Sequence, residues 1–353
     1  MFLVWFKNNN HDTIEATIHS NWKLEVWIEL VVQRKTGGIY IMQDNARKIT
    51  YGAMMIALFA ILLAVSLYTP FLGNVTMFFI ALPIILYRLK YDRNSSLLTL
   101  AAGIVLSLLI GGILLVPIAF VHGILGFIIG ETIVRGKSKL YIFMASGLTL
   151  LITGMGVYVG AVLFFGFNMI DALMTVMEDT KEQMKSFMAN YGGVPDGYDE
   201  VVTSTFQMYE YTIPSIFIIS IFMLAFILLT LNLGVAKRLG FEVPKFPPFR
   251  EMKLPMIAVI LYGAILLITL FAGVKPGTNL YLITVNATTV LRFLFLLQGV
   301  SLIHYYVNEM KLPKVATVVA TIFALMLAPI TTMLGILDTG VNLRAWLRKD
   351  KSK

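Results

Sequence analysis

From Thr50 onward the chain is a succession of apolar runs separated by short polar breaks, at residues 50–69, 74–87, 95–115, 116–134, 140–167, 213–236, 254–274, 279–307 and from Val315. A hydrocarbon layer about 30 Å thick takes about 20 residues of helix to cross. The pattern therefore predicts an all-α, polytopic transmembrane helix bundle with eight full spans and a broken ninth element. Residues 95–134 contain no polar break, and Val116-Pro117 is the natural place to divide them into two spans. The second run is short and contains Pro83, which predicts a tilted helix or a segment that enters part way, tolerable only against other protein. Pro329, Gly335, Asp338 and Gly340 interrupt the last run. A hairpin turning near Pro329 would return the tail to the side from which the run came.

Lys and Arg fall between the runs with one strong asymmetry. With the N-terminus inside, Arg47, Lys48, the cluster at 88–93, the cluster at 135–139, the loop Lys237, Arg238, Lys245, Arg250 and Lys253, and Lys311 and Lys314 place fifteen on the cytoplasmic side. Only Lys181, Lys185 and Lys275 lie outside. The positive-inside rule then predicts a multi-pass plasma-membrane protein with a cytoplasmic N-terminus. The net charge of +8 reads as topology, and nucleic acid is not expected as a partner. The basic tail (Arg344, Arg348, Lys349, Lys351, Lys353) also favours a returning ninth element. Composition agrees: 58% apolar, 14% charged and a mean hydropathy of +0.81 exclude a soluble enzyme. The absence of cysteine excludes a disulfide framework, a thiolate nucleophile and thiolate-bound iron-sulfur or zinc.

Residues 1–41 differ from the rest, holding three of the four tryptophans and no stretch resembling a secretory signal. Thr36-Gly37-Gly38-Ile39-Tyr40-Ile41-Met42 back-translates to a purine-rich ribosome-binding sequence followed by a start codon, so translation is expected to begin at Met42. The alternative is an amphipathic segment lying on the membrane surface. Three regions result: 1–41 as a non-native or surface extension, 42–236 as a six-helix membrane core, and 237–353 as further spans with the basic tail. Within the core, residues 168–212 carry eight acids against two lysines. Ile170, Leu173, Met174, Met177, Met184, Phe187 and Met188 recur at helical spacing, and Asn190-Tyr191-Gly192-Gly193 followed by Pro195 is a helix stop. An external amphipathic helix, a turn and a second, shorter helix are predicted, serving as a lid over a cavity or packing on the bundle or its outer interface.

Candidate chemistry lies in polar groups at membrane depth. Arg292 falls near the middle of run 279–307, where a cation costs about 2.5 to 3.5 kcal/mol on insertion scales. It is expected either to contact an anion in a substrate cavity or to pair with Glu131 or Asp338. Thr288 and Gly299 share its face, so that face can approach another helix closely. Asn286, Gln298 and His304 add polar groups on the same helix. His122 and Glu131 lie too far apart on the fourth span for direct proton exchange, and Gly123, Gly126 and Gly130 between and beside them form a helix-packing stripe. Arg292, His122, Asn286 and Gln298 are the substrate-binding candidates. No phosphate loop, metal-ligand spacing, paired catalytic carboxylates or serine elbow occurs, so neither catalysis, a metal nor a cofactor is expected.

The segment Arg47-Lys48-Ile49-Thr50-Tyr51-Gly52-Ala53-Met54-Met55-Ile56-Ala57, continuing to Ala60 and Ala64, resembles the opening helix of the substrate-binding (S) components of energy-coupling-factor transporters. That resemblance implies that Ala53 and Ala57 dock on a coupling subunit, with ATPase partners and a small-molecule solute. From Met42 through Leu337-Asp338-Thr339-Gly340-Val341-Asn342-Leu343-Arg344 the chain is similar to the YybS-like family of bacterial membrane proteins. The extra spans and the large external insertion depart from the usual S-component pattern of about six spans. The leading expectation is a solute-binding transporter subunit embedded in the lipid bilayer. The rival is a membrane scaffold or signalling partner that holds a cytoplasmic protein on the loop 237–253.

Overall fold

The computed structural model describes residues 45–345 except 195 and 246. The expected start at Met42 and the tail beyond Ala345 lie outside the described residues. The chain is all-helical: α1 (Asn45–Tyr68), α2 (Pro70–Thr76), α3 (Leu82–Lys90), α4 (Arg93–Gly111), α5 (Val116–Val134), α6 (Lys139–Phe165), α7 (Met169–Tyr191), α8 (Tyr198–Arg238), α9 (Ile257–Phe271), α10 (Asn279–Glu309), α11 (Lys314–Met326) and α12 (Ala328–Val341). Seven helices among the described residues are long and apolar enough to cross a membrane, or eight if the bent pair α11–α12 counts as one span. One of the seven is the composite of α2 and α3, residues Pro70–Lys90.

α3 is the hub of the first half. Ile80 through Arg88 are all buried, and residues of this stretch enter three apolar clusters, shared with α1, α4, α5, α6 and α8. Burial on all sides explains why so short a helix survives at membrane depth. Pro83 sits in its first turn, where the missing N–H removes no intrahelical bond. The break before it would leave carbonyls without partners, and Asn232 of α8 fills that need by donating from Nδ2 to the Phe78 carbonyl at 2.8 Å. At the polar edge, Asp92 caps α4 by accepting from Ser95 N at 3.1 Å. The Lys48 ammonium bonded to it, with that N–H, holds its carboxyl at about 2, below the ordinary 3.8.

Close backbone approach organises both halves. A Cβ at Gly126 would meet the Ala81 carbonyl oxygen at 2.6 Å, and one at Gly130 would meet Arg88 Cβ at 2.7 Å, so α5 lies directly on α3. In the second half α10 and α12 touch through Gly299 and Gly335, where a Cβ would overlap the carbonyl oxygens of Thr331 and Phe295 respectively. Where lipid and side chain are equally apolar, dispersion contacts of this kind are what associates helices.

Two features differ from the sequence pattern, and a third, the broken ninth element, follows it. No separate short helix precedes the sixth span, because α8 runs unbroken for 41 residues through Pro214, about 60 Å at 1.5 Å per residue. α9 is shorter than its apolar run, having 15 residues. Leu254 precedes Pro255, which biases it away from helical backbone, and its N–H donates to Gln298 Oε1 at 3.1 Å; Gly273 with φ +59 lies just beyond the helix end. The ninth element is broken by a 104° bend between α11 and α12, at Leu327 and next to Pro329. Replacing Gly335 by Ala should destabilise the protein by about 1 to 3 kcal/mol through overpacking. Gly340→Ala, with nothing within 4 Å of its Cβ position, should leave thermal unfolding in detergent near wild type. Equal midpoints for the two variants would show that the α10–α12 contact is looser than described.

Candidate functional site

The two acids at membrane depth are already neutralised. Glu131 accepts from Arg88 Nε at 2.7 Å on one oxygen and from Arg135 Nε at 2.7 Å on the other, and the Arg88 side chain, 10% exposed, also donates to the Tyr91 carbonyl at 2.9 Å. Asp338, fully buried, accepts from Gln298 Nε2 at 2.6 Å and from Arg344 Nε at 3.0 Å on the same oxygen. The expected pairing of Arg292 with Glu131 or Asp338 is thus corrected. Arginines nearer to each acid occupy those positions.

Arg292 lies on the exposed surface of α10, and its Nε donates to the Tyr262 hydroxyl of α9 at 3.2 Å. Among the described residues no carboxylate lies within ion-pair distance of it. Tyr262 is itself held edge-on against Phe295, with ring centroids 5.5 Å apart, so the hydroxyl is fixed where the guanidinium meets it.

The four sequence candidates do not converge. Asn286, Arg292 and Gln298 are spaced six residues apart on α10, which turns each about 120° from the last at 3.6 residues per turn. They therefore project from three different faces. His122 belongs to α5, where it is buried with Nδ1 3.0 Å from the Ile118 carbonyl of its own helix. Gln298 bridges Asp338 and the loop before α9. His304 lies 2.7 Å from the Thr321 hydroxyl of α11. Gly123 lies against Leu100 and Phe59. Ala53 and Ala57 face outward from α1, beside Met54 and Ile61. Among the described residues no group of three or more His, Asp or Glu could hold a metal ion.

Asn286 has a different task. Ser215 follows Pro214 inside α8; in a regular helix its N–H would donate to the Tyr211 carbonyl, and the Asn286 amide binds both of these groups. Its Oδ1 accepts from Ser215 N at 2.8 Å and its Nδ2 donates to Tyr211 O at 2.8 Å. Insertion of a side chain into the helix ladder is a recognised cause of bending, and here it fixes α8 to α10. A groove of about 390 Å³ lies at this point, lined by Ser215 and Ile218 of α8, Leu261 and Ile265 of α9, and Asn286, Ala287, Val290 and Leu291 of α10. Arg292 does not line it.

Helix α7 stands apart from the bundle. No residue of α7 is buried, and its main packing is on α8, with Lys185 bonded to Asp199 at 2.8 Å. That contact raises the lysine above its ordinary 10.5. A lid closed over a cavity is not what α7 forms here.

These features define a multi-pass membrane protein in which, among the described residues, Glu131 and Asp338 are each bound by arginine and Arg292 has no carboxylate within ion-pair distance. A family model described as "Predicted membrane protein (DUF2232)" matches residues 57–339, and the chain belongs to that family. It is 26% identical over 306 residues to the "Uncharacterized protein YybS" of Bacillus subtilis (strain 168), covering 85% of this chain and 98% of that protein. No solved structure matches.

Sequence reasoning missed the amide insertion at Pro214, although a proline in one run and an asparagine in another were its visible signals. It also missed Asn232, a lone amide in an apolar run. Asn286→Ala should destabilise by about 1 to 3 kcal/mol, the penalty for buried donors and acceptors left unpaired. Combining it with Pro214→Ala should recover part of that loss, measured as a double-mutant cycle on thermal unfolding. Strict additivity would separate Asn286 from Pro214.

Proposed function

We propose that the chain is a solute-binding subunit of a membrane transporter of the S-component type, working with a coupling subunit and ATPase partners rather than as an enzyme. The observation that carries the reading is Arg292. It is an exposed guanidinium midway along a membrane helix, anchored by Tyr262, with no carboxylate partner among the described residues. A cation so placed is expensive and by default functional, and both acids of the spans are committed elsewhere. An anionic solute supplies the missing charge, with a planar carboxylate or phosphate suited to the guanidinium fork. The resemblance of α1 to the docking helix of S components, together with the outward position of Ala53 and Ala57, supports partner docking on that face. The orientation that goes with this reading places the N-terminus and the loop 237–253 in the cytoplasm.

Arg292→Leu should abolish binding of the solute retained by the wild-type protein, and Arg292→Lys should weaken it about tenfold or more by removing the bidentate contact. Native mass spectrometry of the purified variants reads both. Unaltered retention in Arg292→Leu would remove the site assignment. Ala53→Leu should reduce co-purification of the coupling subunit and ATPases with folding unchanged. Recovery of a cytoplasmic regulatory protein on the basic loop, and of no ATPase, would favour the scaffold reading.

A further inference from the structure

Three tyrosines from two neighbouring helices form an aromatic platform at one end of the first half. Tyr51 lies in the second turn of α1, Tyr87 in the last turn of α3 and Tyr91 just beyond it. Their ring centroids are 5.0 Å (Tyr87 and Tyr91), 5.6 Å (Tyr51 and Tyr91) and 6.2 Å (Tyr51 and Tyr87) apart. Gly52 makes room for the contact, because a Cβ there would lie 3.2 Å from Tyr87 Cε2. Lys90 Nζ sits 4.1 Å from the Tyr51 ring centroid and 5.7 Å from that of Tyr91, where the negative faces of the rings attract and orient the ammonium.

The charge around this platform is unbalanced. Asp92 is bound by Lys48, and Glu131 by Arg88 and Arg135. Arg47, Lys90 and Arg93 are exposed, and among the described residues none of them has a carboxylate within ion-pair distance. Glu242, between Phe241 and Val243 that pack against the same cluster, forms no ion pair with these cations. Arg47 precedes Tyr51 by four residues, which puts its guanidinium on the same side of α1 as the ring that Lys90 covers.

The depth of the patch is marked by the apolar residues that follow it. Exposed Ile49 comes directly after Lys48, and exposed Leu97 one turn after Arg93. The cations therefore stand where the hydrocarbon begins, the level of the phospholipid phosphates, and tyrosine is enriched at the same level. We propose that this end of α1 and α3 binds the headgroup of an anionic phospholipid, with its phosphate held between Arg47 and Lys90. The contact with Tyr51 fixes Lys90 without engaging a carboxylate, so its N–H donors remain available to phosphate oxygens in charge-assisted bonds. A phosphate diester that carries no amine supplies the charge the patch lacks, whereas the quaternary ammonium of a choline headgroup would meet like charge from both cations. An acidic soluble protein would have to reach down to the hydrocarbon boundary for the same contacts, where lipid already stands. The site is on other helices than Arg292 and does not depend on a solute binding there.

Native mass spectrometry of the full chain in a neutral detergent, with phosphatidylglycerol and phosphatidylcholine of identical acyl chains in equal amounts, reads the preference. The wild-type protein should retain phosphatidylglycerol over phosphatidylcholine. Arg47→Gln and Lys90→Gln should each weaken that retention about fivefold, the factor carried by one cation near an anionic membrane surface. Tyr51→Leu should weaken it as well, while Tyr51→Phe, which keeps the ring, should not. Lys311→Gln and Lys314→Gln remove exposed cations elsewhere and should leave it unchanged. Equal retention of the two lipids by the wild-type protein overturns the site, as do equal losses in Lys311→Gln and Arg47→Gln. Release of the lipid by inorganic phosphate, but not by chloride at the same ionic strength, would assign the patch to a free anion and overturn the lipid reading. If Tyr51→Leu lowers the thermal unfolding midpoint, the two glutamine variants, at exposed positions, decide the matter.

Discussion

A lipid bilayer supplies no counter-charge, and the arrangement of this protein follows from that constraint. Every carboxylate carried into the membrane has to bring its own cation. Glu131 does so through Arg88 on the buried hub helix α3, and Asp338 through Arg344 just after α12. Each pair ties together elements distant in sequence: α3 to α5 in one half, and α12, α10 and the loop before α9 in the other. Against that background Arg292 stands out because among the described residues it meets a phenol and no carboxylate.

The ion pairs depend on how closely the backbones approach. Gly126 and Gly130 let α3 settle onto α5 with Arg88 beside Glu131, while Gly299 and Gly335 bring α10 and α12 together where Gln298 reaches Asp338. Backbone groups beside a helix break and beside an in-helix proline are met by single amides, Asn232 at the break before α3 and Asn286 next to Pro214. In both places a polar side chain at membrane depth satisfies backbone hydrogen bonding that water would satisfy in a soluble protein.

Much of the helical framework was legible in the sequence because hydrocarbon thickness and apolar run length are directly comparable. The division at Val116-Pro117 and the break near Pro329 could be read from local backbone chemistry. What could not be read was which polar groups meet. Arg88 looked like one of several loop-flanking cations, and nothing local marks it as the buried partner of Glu131, 43 residues away. Arg344 looked like part of a basic tail until its chain reversal at Asn342 placed it inside. Asn286 was visible as a polar residue on a membrane helix, but its role depends on Pro214, and that pairing exists only in three dimensions.

Three arginines thus meet different partners: Arg88 and Arg344 each pair with a buried carboxylate, whereas Arg292 meets the Tyr262 hydroxyl and, in the proposed function, an anionic solute. Comparing the thermal unfolding of Arg88→Leu, Arg344→Leu and Arg292→Leu in the purified protein separates these roles most directly. Removing Arg344 strands the buried Asp338 carboxylate and should destabilise by about 3 to 5 kcal/mol, while removing Arg88 leaves Glu131 with Arg135 and should cost less. Removing Arg292 relieves an uncompensated charge and should leave stability unchanged or raised. A loss at Arg292 as large as at Arg344 would make it a structural residue and contradict its assignment to a ligand.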